Sequence, residues 1–368
     1  MHPDDDPPER APRLNPDLFG HPEAEASFLS AWNSGRMPHA WLLAGPRGIG
    51  KATLAYRMAR FVLAGGGQGG GLFGAPDSLA MAPGDRVFQR VGALGHSDLR
   101  VIRRSKNKTG KWRQDISIED VRDMGAFLRL TAGEGAWRVA IIDSADEMTR
   151  QAANAALKVV EEPPPRALIL LVSHAPGRLL PTIRSRCRRL VLRPLDDTLV
   201  KRIVAKHHPS LPADELDALA RLAEGSAGRA LALVDHGGVE LHRAMLAMLQ
   251  GFPRVDGLAL DRLSDRLGRA GAEEGFRVFG EMLTNLLSRL CRDQKAGRLA
   301  GGPSEAPSQD PEAPVAQALA AAAGLDRWLQ VWEKLAELFA RAESAKLDRK
   351  QVVVDAVLTL AQAARNRT

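Results

Sequence analysis

Cysteine and tyrosine are the scarcest useful residues in this 368-residue chain, which has two of the first and one of the second. Two thiols, Cys187 and Cys291, are too few for a disulfide framework or a four-cysteine zinc site, so both are expected to serve as small apolar packing residues. Aromatics make up only 5% of the residues, which argues against recognition of single strands by stacking platforms. No apolar run approaches the roughly 20 residues of a membrane helix. The opening stretch, MHPDDDPPER, is acidic and proline-rich and lacks the basic start and apolar segment of a secretory signal. The expected compartment is the cytoplasm, with no membrane partner.

Charge is present in excess of one sign. Lysine and arginine total 51 against 44 acids, a net charge of +7. Such a balance suits a partner with phosphates, DNA above all, and equally suits the solvated surface of an arginine-rich protein.

Along the chain, residues 1–15 read as a disordered tail, because proline and acids dominate and nothing is periodic. Residues 26–34 have helical spacing, residues 39–44 form a short apolar strand, and residues 53–63 return to a helix. Residues 65–85 are glycine-rich and read as a flexible insertion. Two strands are expected at 99–104 and 112–116, around a polar turn. A capping box at Ser117–Asp120 then opens a helix over 121–130. Continuous apolar runs at 139–142 and 168–172 are the kind buried on both faces of a parallel sheet. A helix over 148–161 separates them, stopped by three prolines. From about Asp196 the strand signal ends. Helices are expected at 197–207, 212–224 and 228–234, then long helices to the end, broken by a disordered loop at 300–313. Trp328, Val331, Trp332, Leu335 and Phe339 share one helical face, as do Val354, Val357, Leu358 and Ala361. The expected architecture is an α/β core with a doubly wound parallel sheet at 16–195, a small helical lid at 196–237 and an all-α domain at 238–368.

The chemistry concentrates in the first of these regions. GPRGIGKAT at residues 45–53 follows a strand and opens a helix, the context that makes a phosphate-binding loop credible. Gly45, Gly48 and Gly50 would let backbone N–H groups wrap a phosphate, and Lys51 would reach it. The next residue should carry a hydroxyl for Mg²⁺, and here it is Ala52. Thr53 comes one position late, about 100° round the helix, and cannot simply take over. The strand ending in Asp143 has the form of one that holds the metal of an NTPase. Asp146 and Glu147 lie further on, where acids near a helix start are favoured by its dipole. The basic stretch from Arg103 to Arg113 could touch phosphates or be a solvated hairpin tip.

These features come together as a resemblance. MPHAW at 37–41, the 48–51 loop, IDSAD at 142–146, NAALK at 154–158, EEPP at 161–164 and Ser185-Arg186-Cys187 resemble the AAA+ clamp-loader subunits of bacterial DNA polymerase III, of the delta-prime and gamma/tau kinds. The resemblance is dense over residues 17–192, diffuse over the lid and only architectural beyond it. It implies that Arg186 is an arginine finger acting in trans on ATP held by a neighbouring subunit. It also implies that Ser173 is a γ-phosphate sensor position and that residues 19–21 lie where adenine packs. In active members Asp143 would be followed by a catalytic Glu, and here Ser144 stands there. GSAGR at 225–229 resembles the second sensor of the lid, with Arg229 one position late. Arg122 opens a helix that such subunits present to duplex DNA. Four cysteines often follow the loop helix in relatives; here there are none, so no zinc is expected. The degenerate nucleotide site would comprise Gly45, Gly48, Gly50, Lys51, Thr53, Asp143 and Ser173. No cofactor is required, although ATP or ADP bound without hydrolysis fits the loop.

Three functions compete: a non-hydrolysing stator of the clamp loader, a working gamma/tau-like or recombination ATPase, and a small-molecule P-loop kinase. The kinase fails on the Ser-Arg-Cys turn and on an all-helical domain with no acceptor-binding features. Ala52 and Ser144 decide between the other two, because phosphoryl transfer rests on metal and water positioning. The stator is the expected reading. Its partners would be gamma/tau and delta subunits and, indirectly, the sliding clamp and primer-template DNA.

Overall fold

The structure, a computed structural model, describes residues 10–66, 75–105, 113, 115–298 and 311–365. The chain forms two compact units, one from Met1–Ser210 with Ala223–Arg229, the other from Leu211–Leu222 with Ala230–Thr368.

Five parallel strands make the sheet of the first unit: β1 (Ala40–Ala44), β2 (Leu99–Ile102), β3 (Arg138–Ile142), β4 (Ala167–Ser173) and β5 (Arg188–Val191), in the order β2-β3-β4-β1-β5. Every residue of β1, β3 and β4 is buried. This is the physical meaning of their unbroken apolar sequences, since a strand covered on both faces has no polar side. Alternate residues divide between two cores. Trp41, Leu43, Ile141 and Leu170 join Phe28 of α1 (Pro22–Asn33) and Met58 and Phe61 of α2 (Lys51–Leu63). On the other face, Leu42, Ile142 and Leu171 pack with Met124 of α4 (Ile118–Arg129), Val160 of α5 (Arg150–Glu161) and Ile183 of α6 (Pro181–Arg186). Between α2 and α4 lies α3 (Arg86–Gly92), and α7 (Asp197–His207) follows β5. Truncating any of these core leucines to alanine should cost about 2–5 kcal/mol.

The capping box is present. Asp120 N–H donates to Ser117 Oγ, and Ser117 N–H donates back to the Asp120 carboxylate at 3.2 Å. The expected strand at 112–116 is not found among the described residues. Ile116 makes only an isolated bridge to Met148, and residues 106–112 and 114 lie outside the described residues, as do 1–9, 67–74 and 299–310. Three elements of the first unit had no sequence expectation: α3, α6 and the edge strand β5, in which only Leu190 is buried.

The lid segment is divided between the units. Helix α7 and the turn at 225–229 belong to the first, and most of α8 (Ala213–Ala223) and α9 (Ala227–Asp235) to the second. The second unit continues through α10 (Gly238–Gln250), α11 (Gly257–Gly268), α12 (Glu273–Lys295), α13 (Ala313–Ala322), α14 (Leu325–Ala345) and α15 (Arg349–Arg365). Trp328, Val331 and Leu335 are buried as their spacing requires, and Phe339 stacks against Phe276 and Phe279 at 5.4 and 6.3 Å. In α15 the stripe is displaced. Val353, Val357 and Leu360 face inward, whereas Leu358 is 42% exposed. Among the described residues no helix is long and apolar enough to cross a membrane.

One buried acid secures the loop before β3. Asp98 is fully buried and accepts N–H groups from Gly133, Glu134 and Gly135 at 2.7, 2.9 and 3.2 Å, with Arg138 at 3.6 Å. Burial alone would raise its pKa, but these donors and Arg138 outweigh that and hold it below the usual carboxylate value. Its stabilising contribution is therefore present at neutral pH and lost as pH falls through the depressed value. Asp98→Ala should destabilise the protein by about 2–4 kcal/mol at pH 7 in urea unfolding, since it leaves three loop N–H donors and the buried Arg138 without their acceptor. An unchanged urea midpoint would contradict this assignment.

Candidate functional site

Beyond the carboxyl ends of β1, β3 and β4 the sheet stops being apolar. Strand register sets Ala44 beside Ser173 and Ile142 beside Leu171, so Gly45, Asp143 and Ser173 emerge at one edge. Gly45 N–H donates to Ser173 O at 3.3 Å. The loop from β1 to α2 carries positive φ at Gly45, Gly48 and Gly50 (155°, 76° and 103°). At Gly48 the lack of a side chain is needed, because a Cβ there would lie 2.4 Å from Ser226 Oγ. No side chain caps the start of α2, and the N–H groups of its first turn are the donors that such a loop offers to an anion.

Lys51, the first residue of α2, is buried, and its ammonium donates to Pro46 O in its own loop. Burial lowers its pKa to about 8, against the opposing pull of Asp143 and Asp146. Asp143 is also buried, and desolvation raises its pKa although Arg103, Lys51 and Arg47 oppose the rise. Thr53 is buried within α2. Ala52, the residue after Lys51, has no hydroxyl to offer a cation, and burial disfavours the charged form of Asp143. The loop therefore lacks one of the oxygen ligands that a bound Mg²⁺ takes in such a site. Among the described residues no group of His, Cys, Asp and Glu could hold a metal.

Ser144 adopts a left-handed backbone (φ 62°), and its Oγ lies 3.2 Å from His174 Nε2. His174 N–H donates to Asp146 Oδ1 at 2.8 Å. Burial, then the nearby Lys51, pushes the His174 pKa down to about 4, so the ring is neutral at pH 7. His174 was missed in the sequence; its only signal is that it directly follows Ser173. Two further segments close on the loop. His21 Nε2–H reaches Ile49 O at 2.8 Å, Ser226 Oγ donates to Arg47 O at 2.9 Å, and Gly228 N–H donates to Gly48 O at 2.9 Å. Arg229 Nη1 lies 3.8 Å from Glu224. Phe19 packs beneath the Arg202 guanidinium at 5.2 Å.

Arg186 is the last residue of α6, and its side chain is 43% exposed. Its Nη2 pairs with Glu161 Oε1 at 2.9 Å, and its Nη1 donates to Thr182 O at 3.2 Å. Cys187 beside it is buried, which pushes its thiol pKa up to about 11; Cys291 is buried too. Arg122 is exposed at the start of the second turn of α4.

The Lys51 ammonium carries a desolvation cost. The unfolded chain keeps this amine protonated through the ordinary lysine range, the folded chain only to about 8. Stability therefore rises with pH between those values, and at pH 7 the fold bears the full cost of the buried charge. Lys51→Met should stabilise the protein at pH 7 by on the order of 1–3 kcal/mol in chemical denaturation, with the gain vanishing above the ordinary lysine pKa. A loss of stability at pH 7 would mean that Pro46 and the two acids more than offset burial.

Comparison with known proteins places these features. Residues 20–196 match the family model described as DNA polymerase III, delta subunit. The delta' subunit of Pseudomonas aeruginosa DNA polymerase III is 34% identical over 229 residues, 61% of this chain and 64% of that protein. The delta' subunit of Escherichia coli is 31% identical over 222 residues, 60% of each chain. The tau subunit of E. coli is 28% identical over 228 residues, 61% of this chain and 33% of the relative. The matched region thus spans less than two thirds of the length of these relatives. With its parallel sheet, its glycine loop at 45–50 and its Ser185-Arg186-Cys187 turn, this chain is similar over residues 20–196 to the delta' subunits of DNA polymerase III.

Proposed function

We propose that this chain is the delta-prime subunit of a clamp loader, a stator that hydrolyses no ATP itself and supplies Arg186 to a neighbouring gamma/tau ATPase. One observation carries the reading: the two positions that would ligate Mg²⁺ and activate water are Ala52 and Ser144, while an arginine of the trans-acting motif stands exposed on the same domain. Asp146, the other acid near that turn, is engaged by His174 N–H at 2.8 Å, which disfavours it as a water-activating base and weighs against a hydrolysing gamma/tau-like function. ATP or ADP would be held, if at all, by loop N–H groups and Lys51, without turnover. The subunit would work in the cytoplasm with gamma/tau and delta subunits, free of zinc, and would meet primed DNA through Arg122 when the sliding clamp is loaded. Arginine suits the task in trans, because its planar and permanently charged fork meets phosphate oxygens as charge develops in the transition state.

The isolated protein should hydrolyse ATP at background rate in a steady-state assay with primed DNA present. A turnover abolished by Lys51→Ala would favour the hydrolysing alternative.

In the complex with gamma/tau and delta subunits, Arg186→Ala should leave assembly intact by size-exclusion chromatography. It should lower DNA-stimulated ATPase about tenfold or more, within the range by which arginine fingers act. Arg188→Ala, on the edge strand, should do much less. Equal behaviour of the two variants, with full ATPase activity, would remove Arg186 from the mechanism.

A further inference from the structure

Arg186 does not extend loosely from the end of α6. Its two terminal nitrogens are held on opposite sides, one by the Glu161 carboxylate and one by the Thr182 carbonyl a turn earlier. Both anchors are rigid. Thr182 lies within α6, whose Ile183 is fully buried against the sheet. Glu161 is the last residue of α5, whose Val160 is buried in the same core. The chain leaves α5 through Pro163, Pro164 and Pro165, which fix the backbone just beyond it. A carboxylate at a helix C-terminus faces the negative end of the dipole, so local helix electrostatics give no reason for an acid there. Its partner across the α5–α6 contact does.

The hydrogen-bond arithmetic leaves the arginine usable. A guanidinium has five N–H donors, and these two contacts take one from each terminal nitrogen. One N–H on each terminal nitrogen, and the Nε–H, remain for an incoming anion. Arg186 can therefore be oriented by its own subunit and still meet a phosphate with a two-pronged fork. We propose, on the reading of Arg186 as a trans-acting group, that Glu161 is a positioning residue which holds the guanidinium in its working orientation. The side chain then does not have to be ordered anew each time a neighbour's nucleotide arrives.

The test uses the complex reconstituted with gamma/tau and delta subunits. Glu161→Ala should lower kcat of the DNA-stimulated ATPase about threefold to tenfold with KM for ATP unchanged, as expected when orientation rather than binding is lost. Glu161→Asp should recover part of that rate, and Glu162→Ala, at the exposed neighbouring position, should leave it intact. In an Arg186→Ala background, Glu161→Ala should cause no further loss, since it acts only through the arginine. Unfolding of each isolated variant should match the parent, because both side chains are about two-fifths exposed and such pairs contribute little to stability. An unchanged or faster rate in Glu161→Ala, with Arg186→Ala still impaired, overturns the positioning role alone; the faster rate would mean that the acid competes with phosphate. Full activity in Arg186→Ala overturns both the positioning role and the trans-acting reading beneath it.

Discussion

Because every residue of β1, β3 and β4 is buried on one face of the sheet or the other, polar groups can emerge only past the ends of these strands. Parallel pairing then brings those ends together. Ala44 beside Ser173 and Ile142 beside Leu171 align Gly45, Asp143 and Ser173 on one edge, although they are far apart in sequence. Ligand sites in open α/β sheets gather at carboxyl ends for this reason. The helices that seal the two faces matter equally, since without them the apolar strands would meet water.

The same burial shapes the chemistry of that edge. Lys51, Asp143 and His174 are all shifted toward their neutral forms, and desolvation is the leading cause in each. An active metal-dependent site needs a charged carboxylate and a hydroxyl at the cation. Here burial raises the Asp143 pKa, the residue after Lys51 is an alanine, and the Lys51 ammonium is satisfied by Pro46 O. The contacts made by His21, Ser226 and Gly228 occupy loop carbonyls and stitch the phosphate loop to its own unit. On the proposed reading, the loop keeps its shape without the groups that hydrolysis uses.

Arg186 has the opposite environment. It is half-exposed, and its ion pair with Glu161 is the sort that contributes little to folding. Such a contact is costly to keep as structure and useful as orientation. One domain thus carries a buried polar edge and an exposed, held cation, and the proposed function assigns the two separate tasks.

Much of this was legible in the sequence where a local rule decides the outcome. Strands β1, β3 and β4 follow from unbroken apolar runs, α4 from the Ser117–Asp120 box, and the end of α5 from three prolines. The loss of the metal hydroxyl follows from reading Ala52 after Lys51. Edge strand β5 was not legible, because only Leu190 turns inward and its arginines read as a charged loop. In α15 the apolar spacing fitted two adjacent faces, and packing chose Val353 and Leu360 over Leu358. His174, the Ser226 contact on Arg47 and the Glu161–Arg186 pair join residues distant along the chain, so no periodicity announces them. Sequence fixed which residues could act, through backbone rules that operate within a few positions. Tertiary structure alone decided which of them meet and how far burial moves their charges, because both depend on packing between elements that the chain order does not place side by side.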